Sequence, residues 1–238
     1  MSKQEKRRAE QERQKKKSRV LLIVTVALVV IVFAALFILA SKDSGSSGSS
    51  NRKVEFTYSD FPRLGKEDAP VKIVEFGDFK CPACAQFTGV IKPQIVQNYV
   101  DQGIAAFYFV NMTFIGPDSE TASLAALSVY HQNNDEFWKF YDALYANQGN
   151  EEEEWATEDF LVNLAEQEKL SIDYDLLRKD IQNQTYADEL KRDNTLANDN
   201  NVSQTPTVFV NGLKINEPFN FEAISQEIDT AAKAAESQ

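Results

Sequence analysis

Both cysteines of the 238-residue chain fall in one short motif, Cys81-Pro82-Ala83-Cys84. Two thiols at this spacing can close a structural disulfide, supply two metal ligands, or cycle between dithiol and disulfide. A structural bridge over so short a loop removes little unfolded-state entropy. Zinc asks for about four ligands, and the one other good candidate is the single histidine, His131. Redox cycling needs a setting that stabilises a thiolate, and the motif has one: it stands where a strand-like run gives way to a helix-like one. The first turn of a helix offers unpaired N–H groups and a positive dipole end. Cys81 falls at the cap and Pro82 at the first helical position, where its missing N–H costs nothing. The amides of Ala83 and Cys84 can then bond a Cys81 thiolate and lower its pKa below the free value of about 8.5. A spacing of three puts Cys84 on the same helical face, within bonding reach. The redox pair is the preferred reading.

The elements that position the pair are legible in the hydrophobic pattern. Residues 71–76 and 104–110 read as buried strands, with a helix from Cys81 to about Asn98 between them, interrupted at Pro93. This βαβ unit implies parallel strands and a right-handed crossover. Helical periodicity runs unbroken from about 117 to 200. Thr207-Val208-Phe209-Val210 reads as a strand, Asn211-Gly212 as a hairpin turn and Leu213-Lys214-Ile215 as the return strand. A last helix runs from about Phe221 to Ala235. The expected fold class is α/β with an all-helical insertion. Strand alternation places Glu75 on the face of Val71 and Ile73, six residues before Cys81, where burial raises a carboxylate's pKa and lets it pass a proton to Cys84.

The combination resembles the thioredoxin superfamily, and within it the DsbA-like thiol:disulfide oxidoreductases, with the membrane-tethered BdbD type of Gram-positive bacteria the nearest likeness. The resemblance covers about Gly65 to the C-terminus. It rests on the run from Val74 to Cys84, on Gln204-Thr205-Pro206-Thr207-Val208-Phe209-Val210-Asn211-Gly212, and on the helical block between them. It implies a thioredoxin-like fold in which Cys81 is the exposed nucleophile and Cys84 the buried resolving cysteine. Pro206 matches the family's cis-proline facing the pair, which leaves the Thr205 backbone free to pair with an extended substrate. A buried acid at the position of Glu75 belongs to the same pattern, and Asp78 and Lys80 flank the pair where they can tune it. The activity implied is the introduction of disulfides into exported proteins, with reoxidation by a DsbB-like, quinone-linked membrane protein and no soluble cofactor. A thioredoxin-like reductase or isomerase is the alternative within enzymes; a surface binding or chaperone module with a vestigial cysteine pair is the alternative outside them. The chain departs from the strongly oxidising members, which carry His where it has Ala83. The expected Cys81 pKa therefore lies above about 3.5 and below about 7.

Charge divides the chain in three. The net charge is −11, from 25 Lys+Arg and 36 Asp+Glu. Residues 1–19 hold nine basic and three acidic residues, residues 20–40 none, and the remainder 16 basic and 33 acidic. The 21 apolar residues from Val20 to Ala40 span roughly 30 Å as a helix, the hydrocarbon thickness of a bilayer. The expectation is an uncleaved single-pass anchor with its basic N-terminus cytoplasmic, a Ser/Gly linker at 41–53, and a catalytic domain at 54–238 outside the cytoplasm. The acidic balance excludes a nucleic-acid binder. His131, at a helix end, reads as a surface residue. Glu151 to Glu154 read as a solvated run, and Phe137, Trp138 and Tyr141 as core of the insertion, so no metal site is expected.

Overall fold

The structure, a computed structural model, describes residues 53–237. Its sheet consists of β1 (Arg63–Leu64), β2 (Val71–Gly77), β3 (Ala105–Asn111), β4 (Thr207–Val210) and β5 (Leu213–Lys214), in the order β1-β3-β2-β4-β5. β2 and β3 are parallel, in register from Val71 opposite Ala105 to Gly77 opposite Asn111. β4 runs antiparallel to β2, which sets Val208 opposite Glu75 and Thr207 opposite Phe76. The β4–β5 hairpin turns at Asn211 and Gly212, both at positive φ (45° and 82°), the backbone that matches strand twist. A side chain on Gly212 would collide with the Val54 carbonyl.

Helices follow the apolar spacing. They are α1 (Pro82–Val90), α2 (Lys92–Ile95), α3 (Pro117–Gln132), α4 (Asn134–Ala146), α5 (Glu158–Gln167), α6 (Tyr174–Asn183), α7 (Ala187–Asp199) and α8 (Phe221–Glu236). α3 to α7 form the all-helical insertion between β3 and β4. Side-chain caps start four of the helices: Asn133 for α4, Thr157 for α5, Asp173 for α6 and Asn220 for α8. The expected helix from Cys81 to Asn98 is broken at Ile91, two residues before Pro93, because proline cannot donate to the carbonyl of Gly89. Helical winding resumes through α2 and a π-helical turn at Val96–Val100, two residues beyond the expected end.

The sheet separates two apolar layers. Val71, Ile73, Phe107 and Phe109 face α1, the insertion and α8; Val74, Phe76, Tyr108 and Phe209 face Phe56, Ala197 and Val202. Among the described residues no helix is long and apolar enough to cross a membrane. The basic segment, the apolar run at 20–40 and the linker up to residue 52 lie outside the described residues.

Candidate active site

β2 ends at Gly77, and after three connecting residues the chain enters α1 with Cys81 as its N-cap and Pro82 as its first helical residue. Gly77 allows a close approach: a side chain there would come within 2.5 Å of the Phe109 ring. The connecting residues are held from the insertion side. Tyr145 Oη donates to the Asp78 carbonyl at 3.3 Å, and Gln148 Nε2 donates to the Phe79 carbonyl at 2.8 Å. The Phe79 ring is fully buried against Phe109, Tyr141 and Tyr145. The insertion thus clamps the turn that carries the motif.

Asp78 and Lys80, expected to flank and tune the pair, are both engaged in holding loops. Asp78 Oδ1 accepts from the Lys80 amide, and its Oδ2 accepts from the amides of Phe114 and Ile115. Lys80 Nζ, 2% exposed, pairs with Asp118 Oδ1 at 2.5 Å and donates to the Glu153 carbonyl at 2.9 Å. Asp118 Oδ2 accepts from the Trp155 and Ala156 amides. Burial alone would raise the Asp118 pKa, but Lys80 and the two amides outweigh it and hold the carboxyl below its ordinary value.

Cys81 and Cys84 are both free thiols, and both are buried. Cys81 retains 7% exposure and Cys84 none, so the sulfur expected to be exposed is only the more accessible of two enclosed ones. The two thiols are pushed in opposite directions. Cys81 is lowered from 9.0 to about 6, chiefly by the bond its thiolate receives from Cys84. Burial opposes this, while the Thr205 hydroxyl and the Cys84 and Ala83 amides add to it. Cys84 is raised well above 9.0, by burial first, then by its bond to Cys81 and the charge of Glu75. The value for Cys81 falls inside the interval expected with Ala83 beside it.

Across from the pair, the Thr205–Pro206 peptide bond is cis. The Cys81 thiol donates to the Thr205 backbone carbonyl at 3.5 Å, and Thr205 Oγ1 is buried without a hydrogen-bond partner among the described residues. Beneath the pair Glu75 is fully buried; burial raises its carboxyl from 4.5 to about 8 against the opposing Tyr141 bond and the Lys92 charge. Its Oε2 accepts from Tyr141 Oη at 2.7 Å. The structure therefore brings Cys81, Pro82, Ala83, Cys84, Thr205, Pro206 and Glu75 into one cluster from three separate stretches of chain.

A thioredoxin family model matches residues 53–230. The chain belongs to the thioredoxin family. Over 178 residues it is 39% identical to the probable disulfide bond formation protein D of Bacillus cereus, covering 75% of this chain and 82% of that one. Over 172 residues it is 37% identical to disulfide bond formation protein D of Bacillus subtilis, covering 72% and 77%. The crystal structure of oxidised BdbD from Bacillus subtilis matches with a TM-score of 0.73 at 35% identity, covering 76% of this chain and 97% of that one. The protein is a DsbA-like, disulfide-introducing thiol:disulfide oxidoreductase with a thioredoxin-like fold and a helical insertion.

Two contacts of the cluster lay outside the sequence reading. Tyr141 was assigned to the insertion core; it is core, and it is also the donor to Glu75. Thr88, one helical turn after Cys84, stands 2.8 Å from Tyr141 Oη. Its spacing of four from Cys84 was the available signal. His131 is bonded to Glu189 and stacked on Tyr186. Among the described residues no group of three or more His, Cys, Asp or Glu converges on a metal position.

Proposed function

We propose that Cys81 and Cys84 are the catalytic pair, cycling between disulfide and dithiol as exported proteins are oxidised. A substrate thiolate attacks Cys81 Sγ; the Cys81–Cys84 bond breaks, a mixed disulfide forms, and Cys84 leaves with the electron pair. Cys84 cannot persist as a buried anion, and neutral Glu75 supplies the proton. The substrate's second thiolate then attacks its own sulfur in the mixed disulfide, and Cys81 departs as a stabilised thiolate. Two substrate thiols have become a disulfide, and the enzyme holds the two electrons.

The observation that carries this reading is the opposite displacement of the two thiols at one helix N-terminus. The easier leaving group is the sulfur with exposure, and the harder one has an acid beneath it. Pro82 and Ala83 form the rim beside Cys81, and Thr205 and Pro206 offer an extended substrate its backbone pairing. Reoxidation falls to a DsbB-like quinone-linked membrane protein, and residues 20–40 tether the domain outside the cytoplasm. The uncharged 21-residue run behind a strongly basic segment supports that topology.

The test is oxidation of a reduced, unfolded protein by the full chain. Cys81→Ser and Cys84→Ser both abolish turnover, because neither can close the reacting disulfide. Cys84→Ser mixed instead with a disulfide-bonded protein accumulates the mixed disulfide, as the Cys81 thiolate attacks that disulfide and releases the other substrate thiolate. Turnover surviving in Cys81→Ser would mean that the pair is not the reaction centre. The equilibrium potential against glutathione decides direction: a value above about −270 mV, toward −120 mV, fits an oxidant, whereas one at or below −270 mV fits the reductase.

A further inference from the structure

Glu75 has no exposure, so the proton it gives to Cys84 must be replaced through the protein. Its Oε1 has no hydrogen-bond partner among the described residues, and its Oε2 takes the Tyr141 hydroxyl proton at 2.7 Å. Tyr141 is itself fully buried, and its oxygen lies 2.8 Å from Thr88 Oγ1. Because Tyr141 has one proton and directs it at Glu75, Thr88 is the donor in that second bond, and its own lone pairs stay available. Thr88 lines an open groove with Gly89, Lys92, Trp138 and Asp142, between α1–α2 and α4. Neither Cys81 nor Thr205 nor Pro206 lines this groove.

We propose that Thr88 and Tyr141 form a two-hydroxyl relay that returns protons to Glu75 from the groove behind α1. The inference rests on Glu75 as the proton donor to Cys84. In one transfer, a groove water gives a proton to Thr88 Oγ1, and the hydroxide left behind takes a proton from buffer acid in the open groove. The hydroxyl proton of Thr88 passes to Tyr141 Oη, and that of Tyr141 passes to Glu75 Oε2. Only O–H bonds are exchanged, and rotation of the two hydroxyls resets the chain. Burial holds the Tyr141 pKa well above its ordinary value, so the two transfers run in concert without a free tyrosinate.

The groups facing the relay suit this direction. Lys92 Nζ lies 4.5 Å from the centre of the Tyr141 ring and is paired with Asp142 at the groove wall. Its charge eases the ionised state of Glu75, whereas Cys81 and Asp142 oppose it. The entrance is separate from the Cys81 surface, so protons reach Glu75 while a substrate chain covers the reacting sulfur.

The experiment is rapid-mix reduction of the oxidised full chain by dithiothreitol in dilute buffer at pH 9, where Glu75 starts mostly ionised and must be loaded through the relay within the turnover, quenched with acid and read by alkylation and mass. Glu75→Gln slows reduction by roughly a hundredfold and Thr88→Val by roughly tenfold, a fraction of a full general-acid contribution. Thr88→Ser keeps the wild-type rate, which controls for folding. The redox potential of Thr88→Val stays at the wild-type value, because a relay changes rates and not end states. A wild-type rate in Thr88→Val or a shifted potential overturns the relay and leaves Glu75 in place. A wild-type rate in Glu75→Gln overturns the role of Glu75 itself.

Discussion

Two buried carboxylates lie close in the fold to the turn that carries Cys81, and their surroundings are opposite. Asp118, at the start of α3, receives a buried lysine and two backbone amides, and its pKa falls. Glu75, in the middle of the sheet, receives one tyrosine hydroxyl, keeps one oxygen unpartnered, and rises to about 8. Burial acts on both; the number of donors decides which stays charged. The satisfied acid fixes the loop that follows the insertion's α4 to the residue before Cys81. The unsatisfied one keeps its proton at neutral pH, the proton that the proposed mechanism passes to Cys84. A fold that had satisfied both acids would be better held together and would have no proton to give.

Breaking the satisfied side has the largest expected effect. Lys80→Met strands Asp118 as a buried, poorly compensated charge and lowers stability by about 3–5 kcal/mol. Urea denaturation at pH 7 measures it, and the loss shrinks toward acid pH as Asp118 protonates.

Removing the ionisable group from the unsatisfied side acts in the other direction. The folded chain holds the Glu75 proton up to about pH 8, whereas an unfolded chain releases it near 4.5. Stability is therefore lost as pH rises from about 4.5 to 8, because the folded state binds the extra proton across that window. Glu75→Gln flattens this slope, and its gain is on the order of 3 kcal/mol at pH 7, vanishing near pH 4. Thermal unfolding of reduced wild type and variant at several pH values shows whether the slope belongs to Glu75.

Tyr141→Phe sharpens the contrast by making Glu75 still less satisfied. The Glu75 titration moves above about 8, since the Tyr141 bond opposes the rise, and infrared difference spectra of the carboxyl follow it. The stability lost with the hydrogen bond is about 1–3 kcal/mol. Smallest is the effect of Glu153→Ala. Lys80 is bonded to the carbonyl of that residue and not to its exposed carboxylate, so stability changes by no more than about 0.5 kcal/mol.

The same contrast marks what could be read from the sequence. The Cys pair, its N-cap position, the parallel β2–β3 unit and the Asn211-Gly212 hairpin follow from local rules on spacing, proline and glycine. The expectation of a buried acid at Glu75 follows from alternation along one strand. The pairing of Lys80 with Asp118 does not, since the two lie 38 positions apart and only the packed insertion brings them together. Thr88 and Tyr141 are hidden for the same reason: helical periodicity assigns Tyr141 to the insertion core, gives Thr88 no role, and says nothing of which hydroxyl meets which acid. β1, two residues long, is set by its pairing to β3 and carries no period of its own. The residual enclosure of Cys81 is likewise tertiary, imposed by the Thr205 turn arriving from the far end of the insertion.

The thiolate of Cys81 joins all of these observations, because a stabilised leaving sulfur is what makes the pair an oxidant. Reduced protein titrated by thiolate absorbance should show one transition with its midpoint near 6, from Cys81, and no second thiolate until well above 9. A first midpoint at 8.5 to 9, the range of an unassisted cysteine, would contradict the account.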